Sequence, residues 1–165
     1  MIPDRLTIQV DTREQRPLLF PKTINIERQG AVKRLILDTE RVALDAGDYR
    51  LKEDPDACIV ERKGSARELV KNLFDPRDSA RQARALTRLR EACGYPILLV
   101  ALSPADMLVE TPGGPDPGIV LQRLAETCKH FGLSLVVAHD TTGAAARRIL
   151  GTFVAHLLVG HGDIG

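Results

Sequence analysis

Ala46 to Lys63 reads AGDYRLKEDPDACIVERK, and the fold turns on how this stretch is paired. Two strand-forming segments flank a turn cluster around Pro55, the pattern of a β-hairpin. A hairpin symmetric about Pro55 sets Asp48 opposite Lys63 and Arg50 opposite Glu61, and opposed residues share a face of the sheet. Glu61 and Lys63, two apart on one strand, share that face too. A one-residue slip would send one strand's side chains to the other side, so the register carries the inference.

On the N-terminal side, LTIQV (Leu6 to Val10) alternates and is rich in β-formers, which predicts a strand ending at Asp11. A loop with Pro17 and Pro21 follows, and VKRLIL and ERVAL, between Ala31 and Leu44, read as two further strands. On the C-terminal side the pattern turns helical. Ser65 and Glu68 form a capping box, and Leu69, Val70, Leu73 and Phe74 make an apolar stripe. A second helix is expected from about Ser79 to Ala92, with Ala83, Leu86 and Leu89 inward and arginines outward, and Gly94-Tyr95-Pro96 ends it.

ILLVAL (Ile97 to Leu102) has the continuous apolar run of a strand covered on both faces, and SLVVA (Ser134 to Ala138) repeats it. Between them lie the loop TPGGPDPG and a helix from about Ile119 to Phe131. A last helix is expected from about Thr142 to Leu158. Hairpins first and alternating helices and strands afterwards describe an α/β fold, a mixed sheet sandwiched between helices. The 165 residues suit one domain, taken as 1–160 with a flexible tail at 161–165.

Composition is that of an ordinary globular chain: 44% hydrophobic, 27% charged, formal net charge +1. The charge is uneven, because from Glu61 to Arg90 nine basic residues face four acidic ones. Cys58, Cys93 and Cys128 have no CxxC or Cys/His spacing, which argues against a zinc site or a disulfide framework and for a reducing compartment. The four histidines show no ligand spacing either. The N-terminus lacks the apolar core of a signal peptide, and no apolar run reaches membrane-span length. A soluble cytoplasmic protein is expected, with no membrane partner.

An apolar strand that ends in Glu61-Arg62-Lys63 needs a reason to keep a carboxylate and an ammonium group together. Phosphodiester hydrolysis supplies one: carboxylate oxygens hold a hard cation, and the lysine positions water or offsets charge on the phosphorane. Asp48 on the neighbouring strand supplies the second carboxylate. The alternative for each residue is bland: a surface ion pair for Glu61 and Lys63, turn chemistry for Asp48, a strand end for Asp11.

Three motifs together, Val10-Asp-Thr-Arg-Glu14, Gly47-Asp-Tyr49 and Glu61-Arg-Lys63, resemble the nuclease domain of the XPF-type structure-specific endonucleases, a branch of the restriction-endonuclease-like superfamily. Their order and spacing agree, and the helices and strands downstream fit as well, over nearly the whole chain. The resemblance implies that Asp48 and Glu61 bind Mg²⁺ or Mn²⁺ with the backbone carbonyl of Arg62, that Lys63 is the catalytic lysine, and that Asp11 belongs to the acidic site. It also implies that Arg13 contacts phosphate and that Glu14 organises its neighbours. The pattern departs after the lysine: the family has an acidic residue four positions on, where this chain has Arg67, with Glu68 one later.

Arg77, Arg81 and Arg84, with Arg13 and Arg62, are candidate DNA contacts, and Gln82 is a candidate to point at the site. The expected activity is a metal-dependent DNA endonuclease, acting on branched, flap or junction DNA in repair or recombination. A Holliday-junction resolvase-like or general repair nuclease shares the chemistry. A catalytically silent DNA-binding or scaffold subunit is the rival from another class. The family implies a homodimer or a helix-hairpin-helix partner chain, for which 165 residues leave no room within one chain.

Overall fold

A computed structural model describes residues 3–139, 143–162 and 164. Its strands are β1 (Arg5–Asp11), β2 (Thr23–Arg28), β3 (Ala31–Val42), β4 (Tyr49–Leu51), β5 (Cys58–Lys63), β6 (Tyr95–Val100) and β7 (Ser134–Val137). Its helices are α1 (Ala66–Phe74), α2 (Pro76–Ala92), α3 (Pro104–Met107), α4 (Pro117–Phe131) and α5 (Ala144–His161). The strands form one mixed sheet in the order β2-β3-β1-β4-β5-β6-β7. β1 runs parallel to β3 and antiparallel to β4, while β5, β6 and β7 are parallel neighbours.

Each face of the sheet carries its own core. On one, Leu6, Ile8, Val10, Tyr49 and Val60 pack against Leu150, Val154 and Leu158 of α5. On the other, Ile59, Leu98 and Val100 pack against Leu69, Leu86 and Leu89 of α1 and α2 and Leu124 of α4. Alternation along β5 therefore sends Ile59, Glu61 and Lys63 toward α2, and Val60 and Arg62 toward α5.

The hairpin forms with a different register from the symmetric one. Tyr49 pairs with Val60 and Arg50 with Ile59, so Asp48 lies beside Glu61 rather than Lys63. The shift keeps the parity of the pairing, so no side chain changes face.

Residues 31–44 do not make two strands: β3 is one continuous strand of 12 residues, and its hairpin partner is β2, which lies in the stretch expected to be loop. The two-residue turn Gln29-Gly30 joins them, with φ of 54° and 78°, values that suit the twist of a tight hairpin. Asp38 and Glu40 point outward to Arg5 at 2.7 Å and Lys52 at 3.0 Å.

SLVVA is not covered on both faces. β7 is an edge strand, and Leu135 and Val137 are 40% and 39% exposed. Helix α2 starts earlier than expected because Asp75 caps it and Pro76 fits its first turn. Helix α5 runs to His161, whose ring stacks on Tyr95. Residues 163 and 165 of the expected tail, and Thr142 of the expected helix start, lie outside the described residues. The three cysteines are buried and free, and among the described residues no helix is long and apolar enough to cross a membrane.

Candidate active site

Asp11, Asp48 and Glu61 lie side by side across β1, the start of β4 and β5. The Asp11 N–H donates to the Asp48 carbonyl at 2.9 Å, and the Asp48 N–H donates to the Val60 carbonyl at 2.8 Å. The first bond extends the β1–β4 ladder by one residue, and the second returns to Val60, the residue opposite Tyr49; strand alternation then turns all three carboxylates toward α2, as it does Lys63. The main chain, rather than the side chains, creates the row.

Gly47 makes the approach possible. Its φ is +68°, and an added Cβ would collide with Cγ2 of Ile59 and come within 3.2 Å of the Val60 carbonyl. Only glycine turns the chain into β4 this close to β5.

Asp48 sits in a pocket of about 230 Å³ lined also by Asp11, Arg13, Glu14, Glu61, Ala85 and Arg88. Its Oδ2 accepts from the Arg62 N–H at 2.7 Å. Burial, with the charges of Glu61 and Glu14 behind it, pushes the Asp48 carboxyl up to about 8. In a strand the N–H and C=O of one residue point to the same side. The Arg62 carbonyl therefore faces the edge of β5 that Asp48 occupies.

Lys63 is 6% exposed. Its Nζ lies 2.7 Å from Glu61 Oε1 and 3.6 Å from Glu68 Oε1, and it donates to Gln82 Oε1 at 3.3 Å. Burial lowers its pKa, but the charge and hydrogen bond of Glu61, with Glu68 and Asp48, outweigh burial and raise it overall. The lysine is a buried, charged ammonium group. Glu68, out of step with the family pattern in sequence, reaches this group while its Oε2 accepts from the Gly64 N–H at 3.2 Å. The capping box is thus half as expected: Ser65 accepts from Glu68 N–H, and the return bond goes to Gly64 rather than Ser65.

Asp11 is buried, and both its oxygens are engaged: Oδ1 by the Leu44 N–H at 3.2 Å and Oδ2 by Arg13 Nε at 2.6 Å. Arg13 also donates to the Leu44 carbonyl at 2.7 Å. Among the described residues no three His, Cys, Asp or Glu side chains converge as a metal cage. What the site offers a hard cation is the carboxylates of Asp48 and Glu61 with the Arg62 carbonyl, an all-oxygen set that fits Mg²⁺ or Mn²⁺.

Behind the row, on the α5 face, Glu14 Oε2 accepts from the Tyr49 hydroxyl at 2.7 Å and from Arg62 Nη1 at 3.2 Å. The Tyr49 oxygen accepts in turn from the Leu18 N–H at 3.1 Å. The tyrosine of Gly47-Asp-Tyr49 and the glutamate of Val10–Glu14 are thus one contact, which ties the loop after β1 to β4 and β5.

The other expected contacts divide. Gln82 reaches Lys63, whereas Arg77, Arg81 and Arg84 lie exposed on α2 and line neither the carboxylate pocket nor the cleft beside it, with Arg81 paired to Asp78 at 2.7 Å. Arg88, not singled out among the site candidates, lines the pocket with Ala85. Its signal was present: Gln82, Ala85 and Arg88 are three apart, one helical row.

No family model matches the chain, and no curated relative does. Among solved structures, XPF from Aeropyrum pernix superposes with a TM-score of 0.55 at 21% identity over 88% of this chain. XPF from Aeropyrum pernix in complex with DNA superposes with a TM-score of 0.59 at 21% identity over 94% of this chain. The fold is that of these XPF structures. The match spans 59% and 66% of those two chains, less than two thirds of each.

Proposed function

We propose that the chain is a divalent-metal-dependent DNA endonuclease, hydrolysing phosphodiester bonds at branched, flap or junction structures. The observation that carries this reading is the row Asp11, Asp48, Glu61 with Lys63 beside it, on one face and at one end of adjacent strands. Asp48, Glu61 and the carbonyl of Arg62 would hold Mg²⁺ or Mn²⁺. A bound cation supplies charge to polarise a phosphate oxygen and to acidify a water.

The chain's own groups do the rest. Lys63, held charged by Glu61 and Glu68, donates protons in hydrogen bonds to the attacking water or the phosphate oxygen and offsets charge as it develops. Gln82 accepts from Lys63 and fixes its direction. Asp11 adds negative charge to the row and orients Arg13, whose side chain is two-thirds exposed and open to a phosphate. Arg88 adds a second cation at the rim.

DNA as partner is supported by the solved XPF–DNA complex on the same fold. The unpaired edge of β7, with Leu135 and Val137 exposed, is a face that a second copy or a helix-hairpin-helix partner would cover.

The test is to incubate labelled flap, fork and four-way-junction DNA with the protein and Mg²⁺ or Mn²⁺, beside Asp48→Ala and Lys63→Ala. The proposal expects metal-dependent cutting by the wild type, reduced in both variants by about a hundredfold or more, as for removal of a charge-stabilising group at an active site. Cutting that survives both substitutions excludes the assignment. Tight binding with no cutting by the wild type turns the reading to a silent scaffold.

A further inference from the structure

Beside the carboxylate pocket lies a larger cleft, about 720 Å³, whose walls include Arg13, Arg16, Arg62 and Arg147 against Glu14 and Glu68. The two cavities share Arg13 and Glu14, so one opens beside the other. Their electrostatics are opposite: carboxylates crowd the small pocket, and arginines dominate the cleft.

The charges in the cleft are not equally committed. Glu14 is neutralised by Arg62 and the Tyr49 hydroxyl. Arg13 is held by Asp11. Arg16 and Arg147 have no carboxylate partner among the described residues, and Arg147 Nε is buried without a hydrogen-bond partner. The cleft floor is tied together by hydrogen bonds. Arg62 Nη1 donates to the Arg16 carbonyl at 2.8 Å, Arg147 Nη1 to the Pro17 carbonyl at 3.2 Å, and Leu19 N–H to the Arg147 carbonyl at 3.2 Å. Helix α5 and the loop after β1 are thereby stapled together, with two guanidinium groups that lack a carboxylate partner among the described residues between them and the start of α1.

We infer that this cleft seats backbone phosphates of the DNA strand that enters the carboxylate pocket, with Arg16 and Arg147 as its phosphate-binding residues. The inference rests on the nuclease reading for its ligand. Guanidinium groups match phosphate oxygens in geometry and charge, and the shared wall puts the next phosphates of a strand in the cleft when one lies at the carboxylates. Contacts of this kind fix the position of a strand without reading its sequence.

The test measures binding of a fluorescent single-stranded oligonucleotide and of the same sequence as duplex, in EDTA across a salt series, so that neither metal nor cleavage is needed. The proteins are wild type, Arg16→Glu, Arg147→Gln, the double variant, and Arg34→Ala as a control remote from the cleft. Arg16 is exposed and no side-chain bond of it is seen among the described residues, so Arg16→Glu tests the cleft even where Arg147→Gln loosens the fold.

The expected result is weaker binding to the single strand, about tenfold for Arg16→Glu and more for the double variant. The slope of log K against log salt should fall by about 0.7 for each phosphate that is no longer neutralised. Arg34→Ala should bind as wild type does. An unchanged slope and affinity in Arg16→Glu and the double variant would overturn the inference, as would a wild type that binds neither DNA. A loss confined to duplex overturns the single-strand seat. If binding depends on Arg16 and Arg147 but no DNA is cut with metal present, the cleft stands and the nuclease reading fails. If DNA is cut and binding ignores both arginines, the reverse holds.

Discussion

The main-chain N–H of Asp11 donates to the main-chain carbonyl of Asp48 at 2.9 Å, one residue beyond the last pair assigned to β1 and β4. The bond matters because it makes two carboxylates neighbours without either side chain having to choose the other. Like charges would separate if only rotamers held them together. Here strand pairing fixes their backbones, and the Asp48 carboxyl is raised by its burial first and by the charges of Glu61 and Glu14 second.

That shift has a pH consequence for the metal-free protein. Asp48 keeps its proton in the folded chain up to about 8, whereas the unfolded chain releases it near 3.8. Between those values the folded state binds more protons, so the contribution of Asp48 to stability is complete below the lower value and is lost as pH rises through the upper one. Asp48→Asn should abolish that decline. Urea midpoints in EDTA from about pH 4 to about pH 9 check it: the difference between variant and wild type should grow with pH and level off above about 8. A difference independent of pH refutes the shift.

Lys63 and Glu61 are a low-exposure ion pair at 2.7 Å. Lys63→Met should cost about 3 kcal/mol, because Glu61 and Glu68 are left without their cation. Glu61→Gln added to Lys63→Met should recover part of that loss. A double-mutant cycle by chemical denaturation measures the coupling, and additive effects would deny it.

Gly47→Ala should destabilise the chain by about 2 kcal/mol from the left-handed backbone alone, with the collision against Ile59 adding to it. Because Asp48 follows directly, cleavage should fall as well. Thermal melts and activity on the same preparation test both. A variant of native stability and activity would show that the turn into β4 tolerates a side chain.

Tyr49→Phe should cost about 1–3 kcal/mol, since the Leu18 N–H loses a buried acceptor and Glu14 a donor. The carboxylates stay in place, so the loss should appear first as faster amide exchange in residues 14–19. Unchanged exchange there would mean that the hydroxyl does not tether the loop.

Much of this was legible in the residues. Asp48, Glu61 and Lys63 fall on one face because strand alternation depends on parity, and the true register shifts the hairpin without changing parity. Strand β2 was not, although Ile24 and Ile26 alternate before Gln29-Gly30, because Asn25, Glu27 and two nearby prolines give that segment a loop-like composition. SLVVA misled in another way: apolar content does not tell an edge strand from a central one when solvent reaches one face. The Glu14–Tyr49–Arg62 contact and the cleft of Arg16 and Arg147 join distant residues, as the bond from Arg147 to Pro17 across 130 positions shows, which no local pattern encodes.

The most direct measurement is a crystal structure of the protein soaked in Mn²⁺, read by anomalous scattering. A peak is expected between the carboxylates of Asp48 and Glu61, on the side of the Arg62 carbonyl, that disappears in Asp48→Asn. An empty pocket at saturating Mn²⁺, or a peak elsewhere that survives the substitution, would contradict that expectation.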